Sequence, residues 1–332
     1  MKQAPVKVRL TEVAKLAQVS PMTVSRALNA PELLKPDTLN KVLKTIEQLG
    51  YVPDMNATSL VSQKSHIIGA IVPTMNNAIF AQTLLGLQRR LDDQGYQLLL
   101  GQTQYQATQE DSLVRTFLGR RVDGIVLTGA QHSTQTRQRL QAAGIPVVET
   151  WDLPTRPIDM VAGFSNLKAG QAMANYLIGK GHRVLGFVGG GDGRTQMRYR
   201  GFQAAAQKAG VQLHPIWVPS GVQMDHGRRA LSQLLDEGKP VSAVFFSNDA
   251  YALSAMMECR RRGLRVPEDI AIAGFADLEL AAELEPALTT VKVHATRIGE
   301  VAADMLVSRL RGKALASTRV DLGFEVMVRA SA

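Results

Sequence analysis

Leu10-Thr11-Glu12-Val13-Ala14-Lys15-Leu16-Ala17-Gln18-Val19-Ser20-Pro21-Met22-Thr23-Val24-Ser25-Arg26-Ala27-Leu28-Asn29 reads as two short helices joined by a tight turn. Leu10, Val13, Ala14 and Ala17 recur at helical spacing. Ser20-Pro21 restarts the chain as a helix. Serine is a good N-cap, and proline at the first helical position gives up only an N–H that has no intrahelical partner. Such a pair of helices can lay the second one in a DNA major groove, with its N-terminal residues towards base edges. Pro21 and Met22 start that helix, and Thr11, Ser20, Thr23, Ser25, Arg26 and Asn29 supply donors for phosphates or bases.

Downstream, a third helix is predicted from near Asp37, with Leu39, Val42, Leu43, Ile46 and Leu49 on one face, ending at Gly50. Pro53 blocks its continuation, and residues 56–60 follow as a short segment of mediocre helix propensity. Residues 1–64 carry nine Lys/Arg against five Asp/Glu, nearly half of the chain's net charge of +9. That bias favours a polyanionic partner.

From His66 the pattern changes to strands alternating with helices. One series of strands falls at 67–72, 96–100, 122–127 and 147–148, with an amphipathic helix at 81–94. A second falls at 160–164, 184–188, around 218, at 243–246 and at 270–275. Alternation of this kind implies parallel sheets covered by helices on both faces. Two such series in a chain of 332 residues imply two doubly wound lobes with a cleft between them. A last helix at 297–311 and a final strand near 320–328 are expected to cross back between lobes.

Residues 10–29, above all Val-Ser-x-x-Thr-Val-Ser-Arg-x-Leu-Asn, resemble the helix-turn-helix of the LacI family, and the resemblance continues over nearly the whole chain. It implies an all-α DNA-binding domain plus an α/β core like that of periplasmic binding proteins. The expected boundaries are a helix-turn-helix at 1–53, a hinge helix and linker at 54–65, and an effector-binding and dimerisation core at 66–332. Within the core, the first lobe is expected over about 66–164 and 294–318, and the second over about 165–293 and 319–332. One position departs from the family: the turn residue, usually glycine, is Gln18. A left-handed backbone there costs a non-glycine residue on the order of 1–2 kcal/mol. Gly50-Tyr51-Val52-Pro53 followed by Ala57 and Leu60 resembles the family's hinge helix. Paired hinge helices would enter the minor groove with Leu60 as the wedge between base pairs; the alternative is that Leu60 packs on the core.

In the core, the resemblance assigns Asp249, at the end of Ser247-Asn248-Asp249, and Arg198 to the effector. A carboxylate can accept two hydroxyl protons from one diol, and a guanidinium fork suits a carboxylate or paired hydroxyls. Arg194 lies in the same region, after a glycine run that lacks the Lys-Ser/Thr ending of a phosphate loop. Asn77 and Phe80 follow the first strand, where Phe80 either stacks on a ligand or belongs to the core. Thr128 and Glu149 follow later strands and are further cleft candidates.

Val147-Val148-Glu149, residues 158–166 and Arg194-Thr195 resemble repressors of gluconate and related aldonate use. The expected partners are therefore a near-palindromic DNA operator, a small sugar acid such as gluconate or 2-ketogluconate, and a second copy of the chain. Rival readings are a solute-binding receptor with the same core fold, or a repressor that answers to a neutral sugar or a purine. No enzyme activity, metal or cofactor is expected: there is no metal-ligand spacing and no nucleophile elbow. The lone Cys259, and an N-terminus without an apolar signal core or spanning stretch, suggest a cytoplasmic protein with no membrane partner.

Overall fold

The computed structural model describes residues 8–52, 64–219, 221 and 223–332, and the chain divides into two units between Ser65 and His66. Ala57 and Leu60 lie outside the described residues.

The first unit contains α1 (Leu10–Ala17), α2 (Pro21–Asn29), a short 3-10 turn and α3 (Pro36–Leu49). Glu12 sits in the first turn of α1, where its carboxylate accepts from the Arg9 N–H at 2.7 Å and faces the positive end of the helix. The turn is left-handed at Gln18 (φ 51°), and Val19 N–H bonds back to the Ala14 carbonyl at 3.0 Å. The backbone strain expected for a non-glycine residue is therefore present. Ser20 caps α2 by accepting from Thr23 N–H at 3.1 Å. Val13, Ala14, Ala17, Val24, Ala27 and Val42 form the buried centre of the three helices.

The second unit has two six-stranded sheets. In chain order its elements begin β1 (Ile67–Val72), α4 (Ala78–Asp92), β2 (Gln97–Gln102), α5 (Ala107–Gly119), β3 (Gly124–Thr128), α6 (Thr134–Ala143), β4 (Val147–Thr150) and β5 (Met160–Gly163). There follow α7 (Asn166–Gly179), β6 (Val184–Gly190), α8 (Gly193–Lys208), β7 (Gln212–Val218), α9 (Asp225–Asp236), β8 (Ala243–Phe246), α10 (Asp249–Arg261) and β9 (Ala271–Ala276). The last are α11 (Glu279–Ala282), β10 (Thr289–Val293), α12 (Ala295–Leu310), β11 (Arg319–Asp321) and β12 (Phe324–Met327).

Strand order is β11-β5-β4-β3-β1-β2 in the first sheet and β12-β10-β9-β8-β6-β7 in the second. Adjacent strands are parallel except β12, which runs antiparallel to β10. The doubly wound lobes thus form as the strand–helix alternation implies. The single final strand does not. It is two strands: β11 extends the first sheet beside β5, and β12 extends the second beside β10. Residues 319–321 consequently belong to the first lobe, not the second. Val320, Leu322, Phe324 and Val326 keep one apolar alternation through the crossing, so the pattern carries no break to read. The largest apolar core is shared by both lobes, with Phe80, Trp151 and Phe164 meeting Phe187, Phe202 and Phe275.

Candidate functional site

The exposed side of α2 presents Pro21, Met22, Arg26 and Asn29, with Thr23 and Ser25 half-exposed beside them. Val24 and Ala27 occupy the opposite, buried side. Met22 is 64 % exposed, at the start of the helix. Ser20 Oγ lies 2.9 Å from Thr23 Oγ1, and the Asn29 amide donates to the Ser25 carbonyl at 2.9 Å, so the polar groups of this face are held in place. Thr11 is exposed at the start of α1. The geometry is that of a groove-reading helix braced by two others.

The second site lies between the lobes, a cavity of about 460 Å³ including its open mouth. The first lobe contributes Asn77, Phe80, Tyr105 and Trp151, and the second Asp192, Arg194, Thr195, Arg198, Ser247, Asn248, Tyr251 and Phe275. Arg194 and Arg198 project from the first turns of α8, where Asp192 caps the helix: Thr195 N–H bonds to its carboxylate at 3.3 Å. Close contact between α7 and α8 sets the height of Arg198. Gly170 lies against the Arg198 carbonyl and Gly201 against the Leu167 carbonyl, leaving no room for a Cβ at either glycine.

Arg198 is almost fully buried. Its Nη1 donates to Asn166 Oδ1 at 2.6 Å and its Nη2 to Thr195 Oγ1 at 2.9 Å. Thr195 in turn donates to Asp192 Oδ2 at 2.7 Å, which makes a relay from guanidinium to carboxylate. The guanidinium also stacks over Phe275 at 4.0 Å. Burial, together with the like charge of Arg194, brings its pKa down to about 10 despite the attraction of Asp192 and Asp152. Asp192 titrates below the usual carboxylate range: burial opposes ionisation, but the two arginines and Thr195 outweigh it. Arg194 Nη1 and Arg198 Nε are buried with no hydrogen-bond partner among the described residues. Two guanidiniums with unsatisfied N–H groups thus line one cavity, an arrangement with the chemistry to hold a carboxylate.

Of the residues expected in the cleft, Arg198, Arg194, Phe80 and Asn77 line it. Phe80 is packed in the core, as one of its two readings has it, and its ring also lies under the guanidinium of Arg194. Three others do not line it. Asp249 is completely buried at the first position of α10 and turns towards β10, accepting from Thr290 Oγ1 at 2.6 Å and from Leu278 N–H at 2.8 Å. Burial raises its pKa to about 6 against those two hydrogen bonds. Both carboxylate oxygens are engaged within the protein, so Asp249 is corrected from ligand contact to structural brace.

Glu149 follows the alternation of β4 onto the face covered by α5 and α6. There one oxygen accepts from Ile158 N–H at 2.7 Å, while the other lies 3.3 Å from His132 Nε2 and 3.6 Å from Arg137. Thr128 ends β3 half-exposed; its neighbour Gly129 is the residue that approaches Arg194. Tyr105, Asn248 and Tyr251 also line the cavity and are not singled out by the sequence, since a position at a strand's carboxyl end does not say which side chains turn inward. The one readable signal was Asn248, directly before an assigned residue.

Both units have counterparts among known proteins. Residues 9–54 match the family described as bacterial regulatory proteins, lacI family, and residues 174–332 match the periplasmic binding protein-like domain. The chain is 37 % identical over 327 residues to the HTH-type transcriptional regulator GntR of Pseudomonas aeruginosa, covering 97 % of this chain and 95 % of that one. It is 32 % identical to the HTH-type transcriptional regulator IdnR of Escherichia coli, over 96 % of this chain and 97 % of that one. A LacI-family transcriptional regulator from Silicibacter pomeroyi superposes with a TM-score of 0.91 at 31 % identity, covering 98 % of this chain and 99 % of that one. The lac repressor dimer bound to operator superposes with a TM-score of 0.83 at 25 % identity, covering 98 % of each chain. With its helix-turn-helix unit and arginine-lined cleft carried on this architecture, the chain belongs to the LacI family of DNA-binding transcription regulators.

Proposed function

We propose that the chain is a repressor that binds a near-palindromic operator as a homodimer and is released by a small sugar acid held between the lobes. The observation that carries the reading is the pair of buried arginines with unsatisfied N–H groups, Arg194 Nη1 and Arg198 Nε, in a cavity that also offers Asn77, Ser247 and Asn248. Arginines suit the carboxylate, while amides and hydroxyls suit the polyol chain. The resemblance to aldonate-responsive repressors and the full-length matches to regulators named GntR and IdnR support the same class of ligand. The wedge role of Leu60, with Ala57 beside it, rests on the resemblance alone. A two-fold protein matches a palindromic site, and a ligand shifts operator affinity only through its different affinities for the open and closed lobes. The protein acts where the DNA is, in the cytoplasm.

The test is operator affinity with and without gluconate and 2-ketogluconate. Release by either is the expected result, and the effect should vanish in Arg198→Met. A response confined to neutral sugars or purines defeats the sugar-acid assignment. Undiminished operator binding by a chain lacking residues 1–62 defeats the DNA-binding one.

A further inference from the structure

We propose that Tyr105 is the first-lobe residue that reads the bound effector and converts its binding into lobe closure. This rests on the sugar-acid reading of the cleft and names the residue that completes it from the side opposite the arginines.

The argument begins with the backbone. After β2 the chain turns back on itself: Thr103 N–H bonds to the Val72 carbonyl at 2.9 Å and Gln104 N–H to the Pro73 carbonyl at 2.8 Å. Gln104 (φ 51°) and Tyr105 (φ 63°) then stand in the left-handed region one after the other, and Tyr105 N–H bonds to Thr103 Oγ1 at 3.2 Å. Glycine or asparagine would relieve that strain, and a bulky aromatic there is a genuine outlier. Strain of this kind is retained where the side chain has work to do.

Packing does not explain the tyrosine. Trp151, also left-handed (φ 67°), is accounted for by its ring contacts with Phe80 and Phe164 and by its Nε1–H bond to Thr83 Oγ1 at 3.1 Å. Tyr105 belongs to none of the apolar cores and is half-buried against the cavity. Its charged and polar surroundings are those of the cleft: Arg194, Asp192, Arg198 and the amide of Asn77. Burial raises the phenol's pKa, so it is a neutral O–H donor at any ordinary pH. Asn77, which caps α4 by accepting from Ile79 N–H, lines the same cavity. The Tyr105 phenol shares that cavity with the guanidiniums of Arg194 and Arg198 on the second lobe.

A carboxylate or hydroxyl held by Arg194 and Arg198 can accept from Tyr105 only when the lobes are together. The hydrogen bond is then made in the closed arrangement and not in the open one, which is the differential contact a population shift requires.

The experiment is calorimetric titration of gluconate and 2-ketogluconate into the full chain and into Tyr105→Phe and Tyr105→Gly, with the melting temperature of each unliganded protein. Tyr105→Phe is expected to weaken sugar-acid binding about 10-fold, the loss of a hydrogen bond to a charged acceptor, with an unchanged unliganded melting temperature. Tyr105→Gly should lose at least as much affinity while melting no lower than wild type, because it sheds the left-handed strain. Affinities within two-fold of wild type in both variants, or a fall in unliganded melting temperature in Tyr105→Phe, overturn the assignment while leaving the sugar-acid reading standing. Failure of the wild type to bind either sugar acid overturns both.

Discussion

The guanidinium of Arg194, on the second lobe, lies over the ring of Phe80, on the first, with 5.1 Å between its central carbon and the ring centroid. The two side chains are 8 % and 2 % exposed, so the attraction is little screened by solvent. It ties the lobes together across the cavity. Phe80→Leu should destabilise the core by about 1–2 kcal/mol, combining a large-to-small core substitution with the lost cation–π attraction. A double-mutant cycle with Arg194→Met, read by urea unfolding, is expected to show a coupling of about 0.5–2 kcal/mol. Simple additivity would mean that the stack contributes nothing.

Arg26 is exposed on the groove-reading face of α2. If it neutralises a phosphate, Arg26→Ala weakens binding to all operator variants alike and lowers the slope of log affinity against log salt by about 1. Loss confined to one base position would instead assign it to base reading.

The left-handed turn at Gln18 stores strain that a glycine would not carry. Gln18→Gly should stabilise the helical unit by about 1 kcal/mol, seen as amide exchange in α1–α3 slowed about five-fold. Faster exchange would show that the long Gln18 contact to Lys41 Nζ, at 3.5 Å, matters more than the backbone.

Asp249 binds its proton more tightly in the folded protein, at about 6, than its ordinary value of 3.8. A folded state that holds more protons loses stability as pH rises. Between pH 4 and 6 the core should therefore lose roughly 3 kcal/mol on this account. Asp249→Asn cannot titrate and should flatten that slope, measured by urea midpoints from the fluorescence of Trp151 and Trp217, both in the second unit. An unchanged slope would place the titration elsewhere.

His132 is locked by Glu110 Oε1 at 2.9 Å and the Gly129 carbonyl at 3.2 Å, with Glu149 beside it. Burial pushes its pKa down, but the two glutamates outweigh that and bring it up to about 9. Its stabilisation is complete below pH 6.5 and is lost as pH rises towards 9, by roughly 3 kcal/mol in all. His132→Gln should be less stable than wild type at pH 6 and should approach it at pH 9.5. A constant difference across that range would show that the charge is irrelevant.

Local patterns were enough for the DNA-binding unit. Ser20-Pro21 dictates a helix start through one cap and one ring, and the apolar spacing of Val13, Ala14, Ala17, Val24 and Ala27 says which sides meet. The strand–helix alternation likewise determined two doubly wound lobes, because each element buries its apolar face in only one way. The arginine pair at the cavity was legible through the family resemblance, not through spacing or charge pattern. What only the tertiary structure decided is direction and partnership. Asp249 and Glu149 sit where a cleft contact is expected, yet one bonds to Thr290, 41 residues away, and the other turns under α5 and α6. Tyr105 reaches the cavity through two strained residues that no propensity predicts. The division of the last strand between two sheets was equally hidden, since both halves share one apolar alternation. Side-chain aim depends on which distant groups are free to bond, and that is settled only when the lobes have packed.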